Sequence, residues 1–220
     1  MFPNLSSIVA SLLFTYCYIL LTYLDYNKSK SSYINFRFSL GKTIFDAYPN
    51  VFRNIVIVTP LTLLILLNIV EIEVLYYSLM REFITLITHI LWIDFYYWSL
   101  HYMTHKYKFL YRYLHKKHHE FRNSIGFMAF YADISEIVLF NLGGSILFHV
   151  FYRFSMYHII LLIIGGTYTP IMSAHTSTKI DKHQIHHLIH KNNYGFNVFM
   201  DKLMRTELTK EKYLENIKKE

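Results

Sequence analysis

The chain has a single cysteine, Cys17, lying inside an apolar run, so it can form neither an internal disulfide nor a thiolate metal cluster. No internal repeat, low-complexity segment or shift of composition divides the 220 residues, which is the length of one domain. No basic residue precedes the first apolar run and no small-residue cleavage site follows it, so that run reads as a retained helix rather than a secretory signal. The net charge of +7 is not gathered into one surface stripe, and nucleic acid is therefore not an expected partner.

What is present is apolar residue, at 53% of the chain and in long runs. A first run, about 5–24, has the roughly 20 residues a helix needs to cross a bilayer. The polar turn YNKSKSS and an aromatic, basic stretch to about Arg53 are expected at the membrane interface. A second run, about 55–70, contains Pro60 as a candidate kink and ends at Glu71 and Glu73. A third, about 83–100, carries Asp94, and two more, about 134–151 and 156–174, form a hairpin turning at Arg153. If all five cross, twenty of the twenty-two lysines and arginines fall on one side, which the positive-inside rule makes the cytosol. The expected fold is all-α: a polytopic membrane protein of about four to five transmembrane helices under a cytosolic, histidine-rich cap. In the charged tail, Leu208, Leu214 and Ile217 mark a short amphipathic helix.

Histidine is grouped. His101 and His105 stand four apart, His115, His118 and His119 follow the i, i+3, i+4 spacing, and His183, His186 and His187 repeat it, with His175 eight residues ahead. On helices such spacing collects imidazoles on one face, and each imidazole brings two polar nitrogens that need partners or a metal. At least eight candidate ligands exceed the four to six positions of one ion, so two metals are expected, of an element that imidazole alone does not choose. Asp94 lies two helical turns before His101 and is expected to accept a hydrogen bond from a ligand imidazole, the alternative being a water-exposed carboxylate near a helix end. His89, His149 and His158 read as hydrogen-bonded structural histidines, and His190 as a loop histidine able to approach the site.

The order HYMTH, HKKHH and HQIHH resembles the HxxxH, HxxHH and HxxHH boxes of the membrane fatty acid hydroxylase and sterol desaturase superfamily. LYRYLHKKHHEF with FYAD, AHT before the third box, and NYG and MD after it extend the resemblance over about 94–206, closest in look to the C-4 methylsterol oxidase branch. The chain departs from that pattern at Asp133 and Ile134 (His-Pro in many relatives), at Ser173 (acidic in the sterol branch) and at MRT (FGT in many members). The resemblance implies two iron ions held by His101, His105, His115, His118, His119, His175, His183, His186 and His187, activating dioxygen to hydroxylate or desaturate a lipid C–H bond. It also implies a catalytic domain over 83–220 behind a transmembrane region at 1–82. No haem-binding motif is visible in these residues, so electrons are expected from a separate b-type cytochrome or reductase using NAD(P)H. The implied membrane is the endoplasmic reticulum in a eukaryote and the inner membrane in a bacterium. The competing class is a histidine-rich metal-binding or metal-transport membrane protein, against which stands the scarcity of polar ligands within the five runs.

Overall fold

The computed structural model describes residues 5–34, 43–69, 78–121, 125–152, 155–176, 181–196 and 199–218. Among these the regular structure is helical, without a β-strand. Five helices are long and apolar enough to cross a membrane: α1 (Leu5–Lys28), α2 (Ile44–Asn68), α3 (Leu79–Lys106), α4 (Ile134–Phe151) and α5 (Met156–Ala174). The protein is a multi-pass membrane protein of all-α architecture. Two shorter helices, α6 (Lys182–Ile189) and α7 (Lys210–Ile217), belong to the polar C-terminal part. The run ends at Glu71 and Glu73 and the turn at Arg153 lie outside the described residues.

Helices reach further than the apolar runs. The second begins at Ile44, taking in much of the stretch expected at the interface, and Pro60 follows a wider, π-type stretch at Arg53–Val58. The third begins at Leu79, where the Ser78 hydroxyl accepts from the Arg81 N–H, and continues through the first histidine pair to Lys106. Similar wide stretches occur at Tyr111–His115, Ile137–Gly143 and Thr169–Ala174, all beside the histidines.

Helix α1 packs against α2 and α5, α3 against α4, and α2 meets α4. Their outward faces carry apolar side chains such as Leu12, Ile19, Leu61 and Leu161, as a lipid-facing surface requires. Inside, Phe14 and Tyr18 meet the Phe130 ring edge-on, both at 5.5 Å, within a core that reaches from α1 to Ile171 on α5. The α3–α4 contact is close: Trp92 Nε1 donates to the Gly144 carbonyl at 2.8 Å, and a Cβ on Gly144 would come within 2.8 Å of Ile93 Cδ1 and Tyr96 Cδ1.

Polar side chains tie five helix ends to one cap. Asp25, fully buried near the end of α1, accepts from Tyr33 Oη, the Gly126 N–H and Thr176 Oγ1, each at 2.8 Å. From α2, Asn54 Nδ2 donates to the carbonyls of Phe130 at 2.8 Å and Ala132 at 2.9 Å. The end of α3 carries His101 and His105, the start of α4 carries Glu136, and α5 runs into His175. Five crossings therefore place one end of every spanning helix on the same side, around the histidines.

Candidate metal centre

All nine histidines singled out above converge, in two nests. One holds His101, His105, His115, His119 and His186, and the other His118, His175, His183 and His187; within each nest the potential ligand atoms lie within 4.8 Å of one another. The nests adjoin, the rings of His119 and His187 being 4.5 Å apart. Apart from the partly buried His105, all nine side chains are buried.

The local structure departs from the simple helical claw. The second box is not on one α-helix: His115 closes a wide turn, and His118 and His119 open a tighter 3-10 turn. Neighbours in sequence consequently serve different nests, His118 against His119, and His186 against His187 on α6. Successive residues on a helix point about 100° apart, so an adjacent pair reaches two centres where i, i+4 pairs reach one.

Backbone carbonyls fix four of the rings, and a carboxylate fixes a fifth. Nδ1 of His101 faces the Tyr194 carbonyl at 2.8 Å, that of His118 Tyr131 at 3.3 Å, that of His175 Pro170 at 2.9 Å and that of His186 Asn192 at 2.7 Å. His115 Nδ1 faces Glu136 Oε1 at 2.7 Å. Since these oxygens accept, each Nδ1 carries the hydrogen and each Nε2 presents a lone pair. Yet His115 Nε2 lies 2.9 Å from His101 Nε2, and His175 Nε2 3.3 Å from His118 Nε2, lone pair toward lone pair. A cation between them relieves that repulsion. Metal–nitrogen bonds of about 2.1 Å put adjacent donors on one ion roughly 3.0–3.4 Å apart, the spacing found here. Burial and neighbouring imidazoles hold His115, His119, His183, His186 and His187 well below the usual histidine range, and burial holds His118 down to about 4 and His175 to about 3. Neutral imidazoles are what metal binding needs. The donor set fits two transition-metal ions.

Asp94 does not touch an imidazole. Its buried carboxylate accepts from the backbone N–H groups of Phe196, Phe199 and Met200, each at 2.8 Å, so it fixes the loop that follows α6 instead of a tautomer. That loop matters to the centre, because its Tyr194 carbonyl receives His101, and Asp201 holds it from the other side by accepting from the Tyr194 and Gly195 N–H groups at 2.8 and 2.9 Å. Left-handed backbone at His190, Asn192 and Asn193 turns the chain so that these carbonyls face inward. The role expected of Asp94 is filled by Glu136, whose only sequence signal is a lone acid two residues into an apolar run.

The other histidines fall as follows. His89 and His158 pair across α3 and α5, Nδ1 to Nε2 at 2.9 Å, with His89 stacked on Phe148. His190 is exposed, its ring 4.5 Å from that of His119, and stands outside both nests. A cavity of about 380 Å³ between α3, α4 and α5 reaches the second nest, where His118, His175 and His183 form part of its wall.

Residues 86–206, more than half of the chain, match the family model described as fatty acid hydroxylase. No curated protein and no solved structure matches the chain.

Proposed function

The chain belongs to the fatty acid hydroxylase family, and on that premise we propose that it is a membrane-embedded, two-iron oxygenase that hydroxylates or desaturates a C–H bond of a lipid. The observation that carries this reading is the pair of adjoining histidine nests, one of which borders an apolar cavity between spanning helices. Bound iron would supply activation of dioxygen with two electrons brought from outside. His101, His105, His115, His119 and His186 would hold one ion, and His118, His175, His183 and His187 the other. Glu136 and the carbonyls of Tyr194, Tyr131, Pro170 and Asn192 keep five Nδ1 protons in place, so that His101, His115, His118, His175 and His186 meet their ions through Nε2.

The remaining residues position substrate. Ile93, Tyr97, Ile137 and Phe140 wall the cavity with apolar surface, which excludes water and holds a lipid beside the second nest. Residues 83–220 form the catalytic domain in this reading, and 1–82 brace it from the membrane side. The lysine and arginine distribution supports a cytosolic cap, where a separate b-type cytochrome or reductase using NAD(P)H would dock.

The test is the metal content of protein reconstituted anaerobically with ferrous iron. About two irons per chain are expected, one per nest. His118→Ala with His186→Ala, one residue from each nest, should lose both. Stoichiometric binding would lead on to lipid profiling of expressing cells. Absence of stoichiometric metal, or binding indifferent to these substitutions, would remove the oxygenase reading.

A further inference from the structure

The cavity beside the second nest carries polar groups that metal binding does not use. Its lining recurs every three or four residues on α3 (Leu86, Ile90, Ile93, Tyr97) and again on α5 (Leu162, Gly166, Thr169, Ser173), the period of one helical face. From Ala174 down to Leu161 this wall spans roughly 20 Å of helix at the usual rise. A smaller cavity of about 100 Å³ lies between α1, α2, α4 and α5. The two share Asn141, Ser145, Leu162 and Gly166.

At that junction the Asn141 amide and the Ser145 hydroxyl, one turn apart on α4, make no hydrogen bond with any described residue. Polar groups inside a spanning segment cost free energy when left without partners and are characteristically functional. The space before them is open: a Cβ on Gly166, in the facing wall of both cavities, would meet nothing within 4 Å.

We propose that Asn141 and Ser145 bind the oxygen-bearing end of the lipid substrate, a hydroxyl or carbonyl, so that this end points into the membrane and a carbon remote from it lies beside His118, His175 and His183. The proposal rests on the oxygenase reading and adds an orientation to it. Asn141 lies five residues beyond Glu136 on α4 and Ser145 nine, roughly 7 and 13 Å along the helix. Attack therefore falls well away from the substrate's own oxygen. A carbon adjacent to a hydroxyl, such as C-4 of a 3-hydroxysterol, does not meet that spacing.

Binding to iron-reconstituted protein in detergent, under argon so that nothing turns over, tests this. The probes are octadecane against octadecan-1-ol, and cholestane against cholesterol. The native chain should prefer an oxygenated probe to its hydrocarbon by about tenfold, the scale of one to two hydrogen bonds. Asn141→Leu with Ser145→Ala should abolish the preference without weakening hydrocarbon binding. Whichever skeleton shows the preference distinguishes an acyl-like from a sterol-like substrate. Gly166→Leu, which fills the open space, should weaken both members of the preferred pair. Equal binding of alcohol and hydrocarbon, a preference that survives the double substitution, or indifference to Gly166→Leu would overturn the assignment. A chain that binds no iron would instead remove the oxygenase reading, and these binding ratios would still decide the polar contact.

Discussion

Individual side chains determine how tightly the centre is set. Glu136 accepts from His115 Nδ1 at 2.7 Å, so Glu136→Gln should weaken metal binding by about 10- to 100-fold, read by titration of the metal-free protein. Asp94→Asn should act differently, because the carboxylate caps three backbone N–H groups: thermal stability falls by about 1–3 kcal/mol while the Nδ1 partner of His115 is intact. If Glu136→Gln leaves affinity unchanged, its orienting role is wrong. The buried imidazoles also give the metal-free protein a pH dependence. His118 and His175 are held to about 4 and about 3 in the folded state, against 6.5 ordinarily. Below 6.5 the unfolded chain binds more protons than the folded one, so stability is complete above that pH and is lost as pH falls toward 4. A melting midpoint that stays flat between pH 6.5 and 4 would contradict this. The histidines themselves were legible in the sequence because three- and four-residue spacings were repeated three times. Glu136 was not, since it and Asp94 are both lone acids in apolar runs, and periodicity favoured the one that shares a stripe with His101.

At the level of elements, the spacing between helices divides into close contact and open space. Gly144→Ala should separate α3 from α4, since the new methyl meets Ile93 and Tyr96 at 2.8 Å, and should cost about 1–3 kcal/mol in the stability of the purified protein. Gly165→Ala, whose Cβ meets nothing within 4 Å, should be neutral or slightly stabilising in the same measurement. Equal gains for the two would mean that helix propensity, not contact, decides. The five spans were readable from apolar length. The wide turns at Tyr111–His115 and Thr169–Ala174 were not, because they alter side-chain register without changing composition. The division of His118 from His119 between two nests recurs for His186 and His187 on the regular α6, and the cavity of about 380 Å³ reaches the second nest.

Across the whole molecule, one face gathers the cap and most of the cationic charge. With Cys17→Ser as background, cysteines placed at Lys30, Lys117 and Lys212 should react with an impermeant thiol reagent applied to the cytosolic face of sealed membranes, whereas one at Leu79 should react only when the reagent reaches the opposite face. The reverse pattern would invert the topology. α7 lies on the cap side with Leu214 and Ile217 exposed, while Leu208, the third residue of the amphipathic pattern, precedes the helix. Asp25 joins α1 to Gly126 and Thr176, partners about 100 and 150 residues later in the chain. The first helix made thus waits for nearly the last to be threaded into the bilayer. Neither nest is complete until α6 has left the ribosome, since it brings His186 to the first and His183 and His187 to the second. Insertion of the chain and completion of the two nests are therefore separated in time, and a cell short of the metal they hold would accumulate fully inserted, empty protein rather than halted synthesis.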